Sequence, residues 1–420
     1  VSLSTNFPTI RPSLSLDFAK SRTVDPRITF TRASTATYFD EDGVLQSAAA
    51  DRPRIDFNPS TLVCNGLLIE EQRTNSIRNN TMQGAVAGTP GTAATNWNTT
   101  NIGLTREIVG TGTENGITYI DIRFSGTATS QFGNVQFETS TGAAASASQS
   151  WTASSYLKLV SGSLSSNISA VGLATYYYDS GGVFLSTSSN TLTVGSSFSR
   201  YSLSVTTPAS TGYIRSGFYF NAASASGSVI DFTLRIGLPQ LEQGAFATSV
   251  IPTTTTALTR NADVASMTGT NFSSWFNLPS GTVVVEWQLP VNSSDLNALF
   301  TIDGNAALPT MAIRMGFNSG RRIRAYAQDS GGVFEYAVDA PVNAAGTTGK
   351  SAFAYRSTND FAVCDGAGTV VSDTSGSIAD QTFTTAFIGR NAGTYVNGTI
   401  RRIAYYPARL VNAQLQALTL

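Results

Sequence analysis

Hydrophobic and polar positions alternate along most of this chain in short runs of period two. Val283, Val285 and Trp287 alternate with Val284, Glu286 and Gln288. Tyr156, Lys158 and Val160 alternate with Leu157 and Leu159. Arg322, Arg324 and Tyr326 alternate with Ile323 and Ala325. A period of two is the mark of a half-buried β-strand, because successive side chains leave opposite faces. The pattern predicts strands over 117–124, 133–137, 151–160, 168–178, 201–205, 213–220 and 229–238. A second series falls over 282–289, 298–302, 310–317, 323–328, 333–338, 351–356, 360–364, 382–388 and 398–406. One helical spacing stands out at 412–418, with Asn412 as N-cap and Leu415 and Leu418 three apart.

Punctuation divides the runs. Pro8, Pro12, Pro26, Pro53 and Pro59 argue against long helices in the N-terminal segment. That segment holds short apolar alternations at Leu14, Leu16 and Phe18, at Ile28 and Phe30, and at Tyr38 and Phe39. Asp40-Glu41-Asp42-Gly43 reads as a hairpin turn, with glycine where a positive φ is wanted. Residues 79–96 are small and polar. A Thr-rich passage with Pro252 follows the strand-like run that ends at Leu238, and a fresh strand-rich region begins near Val264. The expected architecture is all-β, with a hairpin-rich N-terminal anchoring or oligomerisation module over 1–85. A jelly-roll β-sandwich over 86–250, a linker over 251–267, a second β-sandwich over 268–420 and a short C-terminal helix complete it. The sequence Asp179-Ser180-Gly181-Gly182-Val183-Phe184 recurs as Asp329-Ser330-Gly331-Gly332-Val333-Phe334, and reads as a shared turn with an Asx start.

Composition narrows the chemistry. Charged residues are 13% of the chain and the net charge is −1, with no basic stripe of the kind nucleic acid requires. The chain has no histidine, which removes Ser-His-Asp and Cys-His catalysis and histidine-ligated metals. Only Lys20, Lys158 and Lys350 are lysines, so the cations are nearly all arginine, the residue of planar bidentate contacts. Arg22, Arg27, Arg32, Arg52, Arg54, Arg73 and Arg78 share the first segment with Asp17, Asp25, Asp51, Asp56, Glu70 and Glu71. They read as ion pairs that stitch irregular backbone, or as an inter-subunit surface. Cys64 and Cys364 read as buried free thiols in preference to a disulfide. No leader is visible at Val1, and no run of about 18 apolar residues suggests membrane insertion.

Three stretches carry a resemblance. LSLDFAKSRTVDPRITFTRASTATYFDEDGVLQSAAADRPRIDF, followed by NGLLIEEQRTN, resembles the opening module of tailed-bacteriophage virion proteins. QLEQGAFATSVIPT…LTRNADV resembles a motif that those proteins place after a carbohydrate-binding-module-like jelly roll. GTIRRIAYYPARLVNAQLQALTL resembles the end of a concanavalin-like, laminin-G-like sandwich. The resemblance implies a virion protein, a fibre, spike or decoration component, that contacts other virion proteins and forms a homo-oligomer, with a trimer favoured. It implies a possible host-surface polysaccharide partner and no enzymatic activity. A purely structural decoration role and a polysaccharide depolymerase are the alternatives.

The candidate site residues follow from the aromatic triplets. In Tyr176-Tyr177-Tyr178 and Phe218-Tyr219-Phe220, neighbouring rings leave opposite faces of a strand, so at least one in each faces away from a core. Such a ring can stack on the apolar face of a sugar, or pack against another subunit. Tyr176, Tyr177, Tyr178 and Tyr219 are therefore glycan-binding candidates, as are Arg322, Arg324 and Tyr326 in the later sandwich. No cofactor is required. Jelly rolls of this kind often hold a structural calcium, for which Asp231 and Glu242 are the candidate oxygen ligands. No pair of carboxylates identifies itself as catalytic, since a glycosidase pair is set roughly 5–10 Å apart by the fold and not by sequence spacing.

Overall fold

The computed structural model describes residues 7–139, 142–289, 298–304, 312–317, 322–328, 334–340, 348–391 and 393–420. The protein is all-β with a short C-terminal helix. It forms two compact units. An outer unit combines the chain up to residue 72 with the chain from 261 onward, and an inserted unit spans 73–260.

The outer unit is a two-sheet sandwich. One sheet runs Val371–Asp373, Asp360–Asp365, Thr348–Arg356, Ser280–Gln288, Gly398–Tyr406, Cys64–Ile69 and Ile55–Phe57, with Leu14–Asp17 also paired to Gly398–Tyr406. The other runs Thr29–Thr31, Val264–Thr268, Thr385–Ile388, Ala298–Asp303, Ala312–Phe317, Ile323–Gln328 and Phe334–Asp339. Inward side chains of both sheets, among them Leu16, Leu67, Val285, Trp287, Phe300, Ile323, Phe353 and Ile403, form one buried core, joined by Phe18 from a short helical turn. On the far face of the first sheet, small residues Ala352, Ala354, Ala362 and Ala404 leave room for the helix Asn412–Leu418, which seats Leu415 against them.

Two expectations are corrected here. An independent module over 1–85 does not form, and 251–267 is not a linker. Leu14 and Leu16 pair with Tyr405 and Ile403, Phe30 pairs with Ala265, and Ile69 pairs with Gly398. The N-terminal strands thus complete the C-terminal sandwich. Leu258–Arg260 and Val264–Thr268 are strands in their own right. Local alternation reports that a strand has one buried face. It does not report a partner nearly four hundred residues away. The helix begins at Asn412 with Val411 in the cap position, and Gln414 Oε1 accepts from Val411 N at 3.1 Å. Asn412 is therefore not the cap; its Oδ1 accepts from Arg409 Nη2 at 3.0 Å.

Arg22, Arg27, Arg32, Arg54 and Arg78 form ion pairs, with Glu41, Asp25, Asp263, Glu70 and Glu138 among their partners, and one group is fully buried. Asp263 accepts from Arg32 Nη1 at 3.0 Å, from Arg54 Nη2, and from the Glu70 backbone N–H at 2.9 Å. Arg54 also reaches Glu70 at 2.9 Å. Arg32 spends its remaining donors on the carbonyls of Ser34 and Ala49 at 2.9 and 2.7 Å. A charge so far from water is tolerated only when paired and hydrogen-bonded throughout. Cys64 and Cys364 are free and buried. They stand on strands four places apart in one sheet, on the order of 19 Å at the usual inter-strand spacing, beyond disulfide reach.

The inserted unit is a jelly-roll-like sandwich of two sheets. The five-stranded sheet runs Ser199–Thr206, Ser150–Gly162, Val229–Gln243, Ile117–Thr127 and Thr105–Glu114. The six-stranded sheet runs Phe184–Ser189, Ile168–Tyr178, Tyr213–Ala222, Phe132–Gln136 and Asn98–Thr100, with Ala143–Ala144 added to Tyr213–Ala222. Phe124, Phe220 and Phe232 meet in the core with ring centroids 5.0–5.6 Å apart. Its two ends form a ribbon of their own, in which Arg73 pairs with Arg260 and Asn75 with Leu258.

Candidate functional site

The register of the six-stranded sheet assigns each ring of the tyrosine triplet a side. Val171, Leu173 and Tyr177 enter the core between the sheets, whereas Ala174, Tyr176 and Tyr219 form a separate cluster on the outer face, with Ala170 and Tyr178 packed against it. Tyr177 is 1% exposed and belongs to the core, so it is withdrawn as a glycan contact. The outer face is built on small residues. Gly172 pairs with Tyr219, and Ala174 with Gly217. A Cβ at Gly172 would stand 1.8 Å from Asn190 O and 2.9 Å from the Tyr219 ring, so only glycine lets that ring lie down. The Tyr219 hydroxyl then donates to Asn190 O at 3.1 Å.

Phe132 is placed over this cluster. Its ring stacks on Tyr219 at 6.1 Å and 14°, and stands edge-on to Tyr176 at 6.4 Å. It is 42% exposed, while Tyr176 and Tyr219 beneath it are buried. Along the same sheet Phe184, 55% exposed, meets Tyr178 edge-on at 5.8 Å, and the Arg215 guanidinium lies 4.1 Å from the Tyr178 ring centroid. Cation and ring attract through the ring's quadrupole. Asn134 lies two residues beyond Phe132 on one strand, and Asn221 faces Phe132 across the ladder, so both amides share the outer face.

Polar atoms on this face retain bonding capacity. Tyr176 Oη, Asn134 Oδ1 and Asn221 Oδ1 are buried with no hydrogen-bond partner among the described residues. Buried polar atoms are nearly always paired, so these three are exceptions, and only a shift of the side chains that cover them would open them to a partner. Burial raises the Tyr176 hydroxyl far above the ordinary tyrosine range, and the neighbouring Asn134 amide offsets this only in part. Tyr176 therefore stays a neutral phenol able to donate. The exposed Phe132 and Phe184 rings can stack on the C–H face of a pyranose.

The other candidates are placed elsewhere. Arg322, Arg324 and Tyr326 belong to the outer unit and do not join this face. Arg324 is bidentate to Asp339 at 2.6 and 2.9 Å, Tyr326 Oη accepts from Arg314 at 3.1 Å, and Arg322 is exposed. The proposed metal pair does not come together. Asp231 and Glu242 lie eleven positions apart on one strand, Val229–Gln243, about 35 Å at strand rise. Asp231 is bidentate to Arg123 at 2.9 and 2.8 Å. Glu242 is fully buried and accepts from Thr248 N, Thr248 Oγ1 and Gln240 Nε2 at 2.9, 2.7 and 2.8 Å. The motif QLEQGAFATSVIPT thus satisfies its own irregular backbone. No group of three or more metal-ligating side chains occurs among the described residues.

Sequence reasoning missed Phe132, Phe184, Asn134 and Asn221. A signal existed for Phe132, since extending the expected strand 133–137 back by one residue places it, Asn134 and Gln136 on a common face. The turn at Asp179 forms as expected: its Oδ1 accepts from Gly181 N and Val183 N at 2.9 and 2.8 Å. The echoed turn at Asp329 lies outside the described residues.

No family model matches the chain, and no curated protein matches it. Among solved structures it is similar to carbohydrate-binding modules of a sialidase and to other sialidase and neurotoxin structures. The CBM40 of the Ruminococcus gnavus IT-sialidase, bound to α2,3 sialyllactose, is 17% identical, over 34% of this chain and 83% of that one, with a TM-score of 0.30. The K499G mutant of the NanB sialidase from Streptococcus pneumoniae is 17% identical, over 37% and 26%, with a TM-score of 0.32. The receptor-binding domain of the botulinum neurotoxin C/D mosaic serotype is 10% identical, over 37% and 40%, with a TM-score of 0.29.

Proposed function

We propose that the protein is a non-enzymatic glycan-binding component of a tailed-phage virion surface, and that the outer face of the six-stranded sheet contacts the sugar. The observation that carries the binding role is Phe132: an exposed ring stacked on Tyr219 and edge-on to Tyr176. The virion assignment rests on the two sequence stretches, in the N-terminal segment and around QLEQGAFATSVIPT…LTRNADV, that resemble virion proteins. A weak single site gains strength from several copies through effective concentration.

Glycan-array binding by the intact protein, with its mass in solution measured alongside, tests this reading. Phe132→Ala should weaken binding of the selected glycan by about tenfold, or ~1.4 kcal/mol, with the melting temperature nearly unchanged. Tyr177→Ala should do the reverse, costing about 3–5 kcal/mol of stability as a core truncation. Full retention of binding by Phe132→Ala refutes the site.

A purely structural role is the second reading, and the edge strand Phe184–Ser189 favours it. Val183, Phe184 and Leu185 are exposed there, and residues 180–199 carry no charge. Free edges are normally guarded by charge, so this one is suited to a subunit contact. An oligomer that Leu185→Lys dissociates, and that binds no glycan, would favour it.

A further inference from the structure

We propose that a depression of about 540 Å³ in the outer unit is a second ligand site, which takes one neutral sugar residue. It lies between the end of the short helix Phe18–Ser21 and the hairpin of Ala36–Phe39 with Leu45–Ala48. It shares no residue with the aromatic face of the inserted unit and does not depend on that reading.

The walls are built by local structure. Arg22 caps the helix in the left-handed conformation, with φ 54°, and turns its guanidinium over the Phe57 ring at 5.5 Å. There it pairs with Glu41 across the mouth. Tyr38 and Asp40 are two apart and leave the hairpin on one side. Asp40 is held still by its own turn: Oδ1 accepts from Asp42 N and Val44 N at 3.1 and 2.9 Å, and Oδ2 from Gln46 Nε2 at 2.7 Å. Gly43, with φ 74°, closes that turn. The floor is apolar, made by Pro53, Val24 and Ile55, of which the last two are half-buried against the main core.

Charge and chemistry select the occupant. The rim offers donors from Arg22, Tyr38 and Thr23, and acceptors from Asp40 and Glu41. An anion meets two carboxylates against one guanidinium. A simple cation leaves the guanidinium unused and repelled. A purely apolar molecule strips water from the rim and replaces none of its hydrogen bonds, which is unfavourable. A pyranose has an apolar C–H face for the floor and a perimeter of hydroxyls that both donate and accept. The volume lies within the range of small-ligand sites, roughly 300–1,000 Å³.

Saturation-transfer NMR on the full chain tests the assignment, with methyl α-mannoside, methyl β-galactoside and methyl β-glucoside as probes and glucuronate as the anionic comparison. At least one neutral pyranoside should receive saturation on its ring C–H protons. The signal should persist in Phe132→Ala, which removes the aromatic-face contact; in that background Thr23→Trp, which fills the depression from an exposed position, should abolish it and Glu41→Gln should weaken it. No transfer to any neutral pyranoside, equal transfer to glucuronate, transfer that Phe132→Ala abolishes, or transfer that Thr23→Trp leaves intact in that background would each overturn the proposal. Loss of array binding in Phe132→Ala is read separately, so the two sites fail independently.

Discussion

Deleting residues 1–72 should unfold the outer unit while the inserted unit stays intact. The deletion removes Leu14, Leu16, Phe18, Ile28, Phe30, Leu67 and Ile69, seven side chains buried in the main core. At about 1.5–3 kcal/mol for each fully buried apolar side chain, that is a loss of roughly 10–20 kcal/mol. Whole domains are stable by only about 5–15 kcal/mol, so the remainder of the sandwich cannot persist. The deletion also takes Arg32, Arg54 and Glu70 and leaves Asp263 as a buried charge with no cation, a further cost of about 3–5 kcal/mol. Tryptophan fluorescence separates the two units, because Trp275 and Trp287 lie in the outer unit and Trp97 and Trp151 in the inserted one, all buried. In the 73–420 chain carrying Trp97→Phe and Trp151→Phe, emission should be that of water-exposed indole from the lowest temperature. In the chain carrying Trp275→Phe and Trp287→Phe, a cooperative thermal transition should remain. A cooperative transition from Trp275 and Trp287 near the full-length temperature would refute the reasoning, and would restore an N-terminal module that folds apart from the sandwich.

Two further outcomes follow from buried and half-buried charges. Asp263→Asn should cost about 3–5 kcal/mol in urea unfolding, since Arg32 and Arg54 would lose their shared anion in a site without water; a loss below about 1 kcal/mol would show that the pairs are not fully desolvated. Glu114 bonds Lys158 Nζ at 2.9 Å and pairs with Arg235; desolvation works to raise its carboxyl, but the two cations outweigh it and the pKa lies below the ordinary value. Its stabilisation is therefore present above about pH 4.5 and is lost as pH falls through the lowered folded value, so stability of Glu114→Gln should change less than wild type over that acidic range. Parallel curves would remove Glu114 as a contributor.

Much of the secondary structure was legible because strands report themselves locally. The strands Ile168–Tyr178, Ile323–Gln328 and Gly398–Tyr406 begin and end where alternation places them. The turns at Asp40 and Asp179 also follow from their own residues, an Asx acceptor followed by glycine. Pairing was not legible. Nothing in Leu14-Ser15-Leu16 names Tyr405 as the neighbour of Leu14, so a segment that closes the distant sandwich looked like a module of its own. Nor could the tyrosine triplet declare its phase. With aromatic rings at 176, 177 and 178, both assignments to the two faces are equally apolar. The phase is set by Gly172 and Ala174 on one side and Leu173 on the other, where small residues mark the face on which rings lie flat. Glu242 was misread for a related reason. A carboxylate in sequence looks available, but here three donors from its own motif consume it.

The short ribbon in which Arg73 pairs with Arg260 and Asn75 with Leu258 makes the inserted unit a cassette. Paired residues on antiparallel strands stand about 5 Å apart, so any replacement domain whose own ends meet at that distance can be spliced between Gln72 and Asn261. The strands that close the outer sandwich all lie outside the splice. Such an architecture lets the inserted unit change by wholesale exchange, while the outer sandwich changes only at the pace its buried core allows.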